Sequence, residues 1–372
     1  MKFGTLMMAK WISATLGLVM AGGLVMPAAA APLEADYQKV AQKAYGNYIL
    51  PSFEGLQGQA GRMEAQIKDF CASPSIEAHD AVRSDFGRLV YQWGAVEFLR
   101  FGPMQSENRF HRLLFWPDRK GTALKKVRRA INDQDAKRLE PGALASGSVA
   151  FQGLNALEYA LFGEGYESLW TKGDAKGAYR CELAYAIAGN IVATSSDLVK
   201  AWSMDGFGKT FTQPGKDNPV YREGKEVVAE LVKALGTNGQ YFTDVKLLPV
   251  VGRELRKAKP KKAMFRRAGA SLISMQSSLD HAGQLIHEAD FEMLLDEDAW
   301  WIINGAEFEL KNGSKTLKKL GEIGMPKAVT DEEGRKQFQY LETVVRGFGE
   351  MMISEYAAGA ALVIGFNSLD GD

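Results

Sequence analysis

The sequence predicts an all-α protein built as two helical bundles. Three observations carry this. Apolar residues recur at helical spacing over most of the chain, no segment of convincing length alternates with a strand period, and short Gly/Pro breaks separate the long periodic runs. A Gly-rich interval, 206–218, splits the runs into two sets. The expected organisation is therefore an N-terminal bundle over 31–205, a linker over 206–218 and a C-terminal bundle over 219–372, preceded by a cleaved segment over 1–30.

Residues 1–30 read as an export signal. Lys2 and Lys10 supply a positive start, an apolar Gly/Ala-rich run follows, and small residues at 28–31 form a cleavage site. Cleavage is expected after Ala30, because cleavage after Ala31 would leave Pro32 at the first mature position. The alternative is an uncleaved anchor, but the run is short for a span. The expected location is a bacterial periplasm, with no transmembrane segment after cleavage.

In chain order, a first helical run carries Val40, Ala44, Tyr45, Tyr48 and Ile49, is interrupted at Pro51, and continues through Leu56, Met63, Ile67 and Phe70. Ser75 is a candidate N-cap for a second run, 76–101, which Gly102-Pro103 ends. An aromatic and basic loop, 109–121, has little periodicity. It reads either as a site wall with arginines facing an anion or as a hydrophobic anchor. A charged helix over 122–139 follows, then a turn-rich approach to 147–163. A long helix covers 179–202. The second half holds helices over 222–235, 263–288, 299–320 and 331–361, with a periodic stretch at 243–255. The basic run 257–267 reads as a solvated face, or less simply as a docking patch.

Composition narrows the function. The 372 residues hold 45 Lys plus Arg and 45 Asp plus Glu, a balance without the basic footprint of nucleic-acid binding. The four histidines, His79, His111, His281 and His287, form no H-E-x-x-H. A Gly-x-Ser-x-Gly elbow, a Walker loop and a haem-attachment motif are all missing. Cys71 and Cys181 either bridge, as cysteines of exported proteins do, or remain two buried thiols. A bridge would close a loop of roughly 110 residues and contribute about 4–5 kcal/mol in the chain-entropy picture.

The most informative stretch is 147–163. Asn155, Glu158, Tyr159 and Phe162 fall on one helical face, beside an apolar face of Leu154, Leu157 and Leu161. A buried carboxylate and amide need partners. The plain reading is a structural network, with Glu158 paired to an arginine and Asn155 capping a neighbouring helix end.

Residues 153–158, Gly-Leu-Asn-Ala-Leu-Glu, resemble the imelysin-family signature Gly-x-His-x-x-Glu, with Asn155 in the histidine position. The block 93–103 and the tail 365–372 resemble the periplasmic branch of the same family. The resemblance implies an all-helical fold of two bundle-like domains with a site at their interface, and a role in bacterial iron uptake. It also implies a site of Gly153, Asn155 and Glu158, lined by Glu97, Arg100, Arg109 and Asp118. Glu158 and Glu97 are the expected ligands of iron or another divalent cation. The family's proposed metallopeptidase activity is weakened here, because an amide is a poor zinc ligand where imidazole is a good one. Three functions follow: a non-enzymatic binding or accessory protein of iron uptake, a metallopeptidase using Glu158, or a helical module docking an envelope or redox partner. A second polar row on 263–288, through Asp280, His281, Gln284 and His287, reads as a wet helix face.

Overall fold

The apolar stripes become the buried faces of ten helices of ten residues or more. The computed structural model describes residues 31–140 and 142–365. The export reading of 1–30 and nearly all of the tail motif at 365–372 fall outside them. The helices are α1 (Glu34–Lys43), α2 (Leu50–Ala72), α3 (Ile76–Gly94), α4 (Thr122–Asp133), α5 (Gly153–Phe162), α6 (Ala175–Ala201), α7 (Gly224–Tyr241), α8 (Ser271–Glu288), α9 (Trp301–Ile323) and α10 (Glu332–Glu350). No strand occurs among the described residues, so the all-α expectation holds. No helix there is long and apolar enough to cross a membrane.

Local chemistry explains the helix ends. Ser75 caps α3 as expected, its hydroxyl accepting the Ala78 N–H at 3.1 Å. Pro51 does not break the first run. A π-helical turn, Ala44–Ile49, runs directly into α2, and proline takes the second position of that helix. The second run ends at Gly94, short of the expected 101, and leaves the chain through turns that carry Glu97 and Arg100.

In the first half, α2 packs along α3 and α6, and α6 in turn supports α5. Cys71 on α2 and Cys181 on α6 form a disulfide with Cα atoms 5.8 Å apart. In the second half, α9 packs on α8 and α10, and α10 on α7. Residues 206–218 carry a short helix, Phe207–Thr212, whose Phe211 is fully buried. Its rings close around Trp202 together with Phe53 and Phe101, at centroid distances of 5.1–5.8 Å. This is ordinary aromatic core packing.

The halves are stitched at several points. Helix α1 lies against α7, and the Tyr37 hydroxyl donates to the Ala360 carbonyl at 2.8 Å. Helix α3 meets α8 so closely that a Cβ on Gly94 would collide with the Ser277 side chain, and that hydroxyl donates to the Tyr91 carbonyl. Close backbone approach of this kind needs glycine.

Before α8 the chain departs from expectation. The periodicity predicts helix from 263, whereas α8 begins at Ser271. Residues 263–270 are turns, with Phe265 at φ 55° and Gly269 at φ 75°. Phe265 is buried and packs edge-on to Phe86 at 5.8 Å. The helix is displaced because backbone amides of this segment bind a side chain from the other half, described next.

Candidate functional site

Every residue of α5 is buried. Its start is fixed by Gly153, at φ 69°, which any Cβ would drive into the carbonyl oxygens of Arg112 and Leu113. Gln152 just before it is also buried. Its Oε1 accepts from Asn190 Nδ2 at 3.2 Å, and its Nε2 donates to the Gly147 carbonyl at 3.2 Å. The helix that carries the signature is therefore held rigidly at its N-terminus.

Glu158 is 2% exposed, and its partners lie in the 263–270 turns. Oε1 accepts the backbone N–H of Arg267 at 2.7 Å and of Ala268 at 3.2 Å. Oε2 faces the Arg267 guanidinium at 3.8 Å. Burial pushes the carboxyl above its ordinary value, while Arg267 and the two amides pull it back down. The Arg267 carbonyl is held from the other side by Arg83 Nη1 at 2.8 Å, and the Arg267 guanidinium lies 4.2 Å from the Tyr159 ring centre. Glu158, Arg83 and Tyr159 together set the place and direction of Arg267. The arginine pairing expected for Glu158 is present.

Asn155 is 1% exposed, and neither its amide nitrogen nor its oxygen has a hydrogen-bond partner. It does not cap a helix end, contrary to expectation. An unpartnered buried amide is rare in folded proteins.

The other expected site residues are committed elsewhere. Glu97 Oε2 accepts from Lys246 Nζ at 2.5 Å and Oε1 from Trp93 Nε1 at 3.1 Å. Arg100 donates to the Glu97 carbonyl at 3.1 Å and lies between the Phe110 and Tyr241 rings at 4.2 and 4.0 Å. Arg109 bonds the Pro103 carbonyl and Glu107. Asp118 caps α4, accepting the N–H groups of Thr122 at 2.6 Å and Ala123 at 2.9 Å.

Beside Arg267 a cavity of about 370 Å³ opens between the halves. Residues 116–119 and Tyr159 form the first-half wall. Asp244, Val245 and Pro249 form the opposite wall, and Lys261, Lys262, Ala263 and Arg267 close it over. Of the expected site residues, Asp118 lines this cavity, whereas Glu97, Arg100 and Arg109 stand outside the lining. Arg119, Lys261, Lys262, Tyr159 and Arg267 were not among the expected site residues. The loop 109–121 and the basic run 257–267 were visible as features, but what brings them together is tertiary.

The donor set does not fit a directly ligated metal. Glu158 and Glu97 each serve a cation or amides, Asp118 serves a helix end, and Asn155 is a weak donor. No group of three or more His, Cys, Asp or Glu able to hold a metal ion occurs among the described residues.

The imelysin family profile matches residues 49–346, and the chain belongs to that family. Among solved structures, the chain is similar to an imelysin-like protein from Psychrobacter arcticum 273-4, with a TM-score of 0.74 at 15% identity, covering 91% of this chain and 100% of that one. It is also similar to a protein from Parabacteroides distasonis ATCC 8503 provisionally described as an iron-regulated protein A precursor, with a TM-score of 0.69 at 12% identity, covering 88% and 97%. At these identities the likeness shows the fold alone. No curated protein matches.

Proposed function

We propose that this imelysin-family chain is an exported, periplasmic binding protein of iron acquisition without peptidase activity. Its binding site is the cavity beside Arg267, and its cargo is not held by direct protein–metal bonds. The observation that carries this is the position of Glu158. The one acid of the family signature is buried against two backbone amides and an arginine, so it is placed to hold a loop and not to activate water. A hydrolytic zinc needs about three protein ligands and an open position, and Asn155 removes the imidazole. The iron connection draws on the family and on the description of the Parabacteroides distasonis protein. The export reading of residues 1–30 supports the location.

The test is digestion of an unfolded protein substrate with and without added zinc, alongside metal analysis of protein recovered from its native envelope. The reading predicts no cleavage, and iron that is removed by dialysis together with a small molecule. Cleavage that is abolished by Glu158→Gln would reject it.

A further inference from the structure

The cavity beside Arg267 is unevenly charged. Its lining holds four cationic side chains, Arg119, Lys261, Lys262 and Arg267, against two acids, Asp118 and Asp244. Asp118 is bonded to two helix amides, and Asp244 faces Arg346 at 3.3 Å. Arg119, Lys261 and Lys262 have no acidic partner among the described residues, although the chain as a whole is neutral. Arg267, by contrast, is part-buried and fixed at its N–H, its carbonyl and its guanidinium face. One oriented guanidinium inside and three unpaired cations at the rim make a site for more than one negative group. Arginine suits carboxylate and phosphate oxygens because its donors form a planar fork. Trp116 and Tyr159 supply apolar walls for the body between those groups. The volume lies in the range of small-molecule sites.

We propose that the cavity binds a small polyanion, a molecule with at least two carboxylate or phosphate groups, taken either free or as a metal chelate. Arg267 anchors one group, and Lys261, Lys262 and Arg119 take the others. The proposal rests on the binding-protein reading above and names the ligand class of that site. It assigns Glu158 as a positioning residue that acts through Arg267.

The test is calorimetry of the purified protein at pH 7 with citrate, ferric citrate, inorganic phosphate and acetate. Citrate or its ferric complex should bind more tightly than about millimolar, and acetate should not. Binding should weaken as salt rises. Lys261→Gln with Lys262→Gln, and separately Arg119→Gln, should each weaken it about tenfold or more. These exposed positions leave the thermal midpoint unchanged, so loss of binding is not loss of fold. Binding of citrate alone, of only the ferric complex, or of phosphate tells which source supplies the anion, and each supports the proposal if the charge substitutions weaken it. Absence of polyanion binding, or binding unmoved by all three substitutions, overturns it. Ferric ion alone bound equally by wild type and by the double variant overturns the polyanion, and with it the indirect holding of the cargo, while the role of a binding protein without peptidase activity stands. Zinc-dependent proteolysis lost in Glu158→Gln removes that reading itself.

Discussion

Glu97 and Lys246 lie 149 residues apart in sequence and meet at 2.5 Å, each 2% exposed, across the boundary between the two halves. Lys246 also donates to the Ser274 carbonyl at 3.1 Å and to the Ser278 hydroxyl at 2.7 Å, so all three of its protons have acceptors. Burial pushes the lysine below its ordinary value, and Glu97 opposes that push. Removing either partner leaves a buried charge alone. Glu97→Ala or Lys246→Ala should therefore cost about 3–5 kcal/mol in urea unfolding, whereas Glu97→Leu combined with Lys246→Met should recover most of the loss.

Gly153 gives a sharper steric test. Gly153→Ala meets both a left-handed backbone and two carbonyl oxygens of the 109–113 segment. Gly173, at φ 78°, has open space around a Cβ. Gly173→Ala should cost about 1 kcal/mol, and Gly153→Ala about 3 kcal/mol or more. Equal midpoint shifts in chemical denaturation would contradict the packing described here.

Glu158 predicts a pH dependence with a definite sign. Its folded-state carboxyl is raised by burial above the ordinary 4.5. As pH rises past 4.5 the unfolded chain ionises first, so the folded form holds the extra proton. The stability this provides is complete below 4.5 and is lost as pH rises through the folded value. Urea midpoints from pH 4 to 8 should then show Glu158→Gln gaining on wild type with rising pH and levelling off. Glu158→Gln losing ground to wild type as pH rises would contradict the direction.

The disulfide closes 110 residues between α2 and α6. Denatured, unreduced protein should show no free thiols. Reduction should lower unfolding free energy by about 4–5 kcal/mol, as chain-entropy arguments give for a loop of that length.

Much of the fold was legible because helical period and capping are local. Ser75, the buried stripe of α3 and the long α6 follow from residues close in sequence. The site was less legible. Ala263, Met264, Arg266 and Arg267 look like helix formers, and only the Glu158 carboxylate, 109 residues away, takes the amides that a helix would have used. The same contact turns Arg267 toward the cavity. Lys261 and Lys262 read as a solvated run because nothing local shows that they face Arg119. Glu97 and Arg100 sat beside a plausible site in sequence, but Lys246 and Tyr241, which claim them, carry no sequence signal of it.

Glu158 holds the 263–270 turns through two backbone amides, and hydrogen exchange at those amides reads that hold residue by residue. The N–H groups of Arg267 and Ala268 should exchange slowly in wild type and rapidly in Glu158→Ala, with protection in α2, α6 and α9 retained. Fast exchange at both amides in wild type, or unchanged protection in Glu158→Ala, would contradict the account.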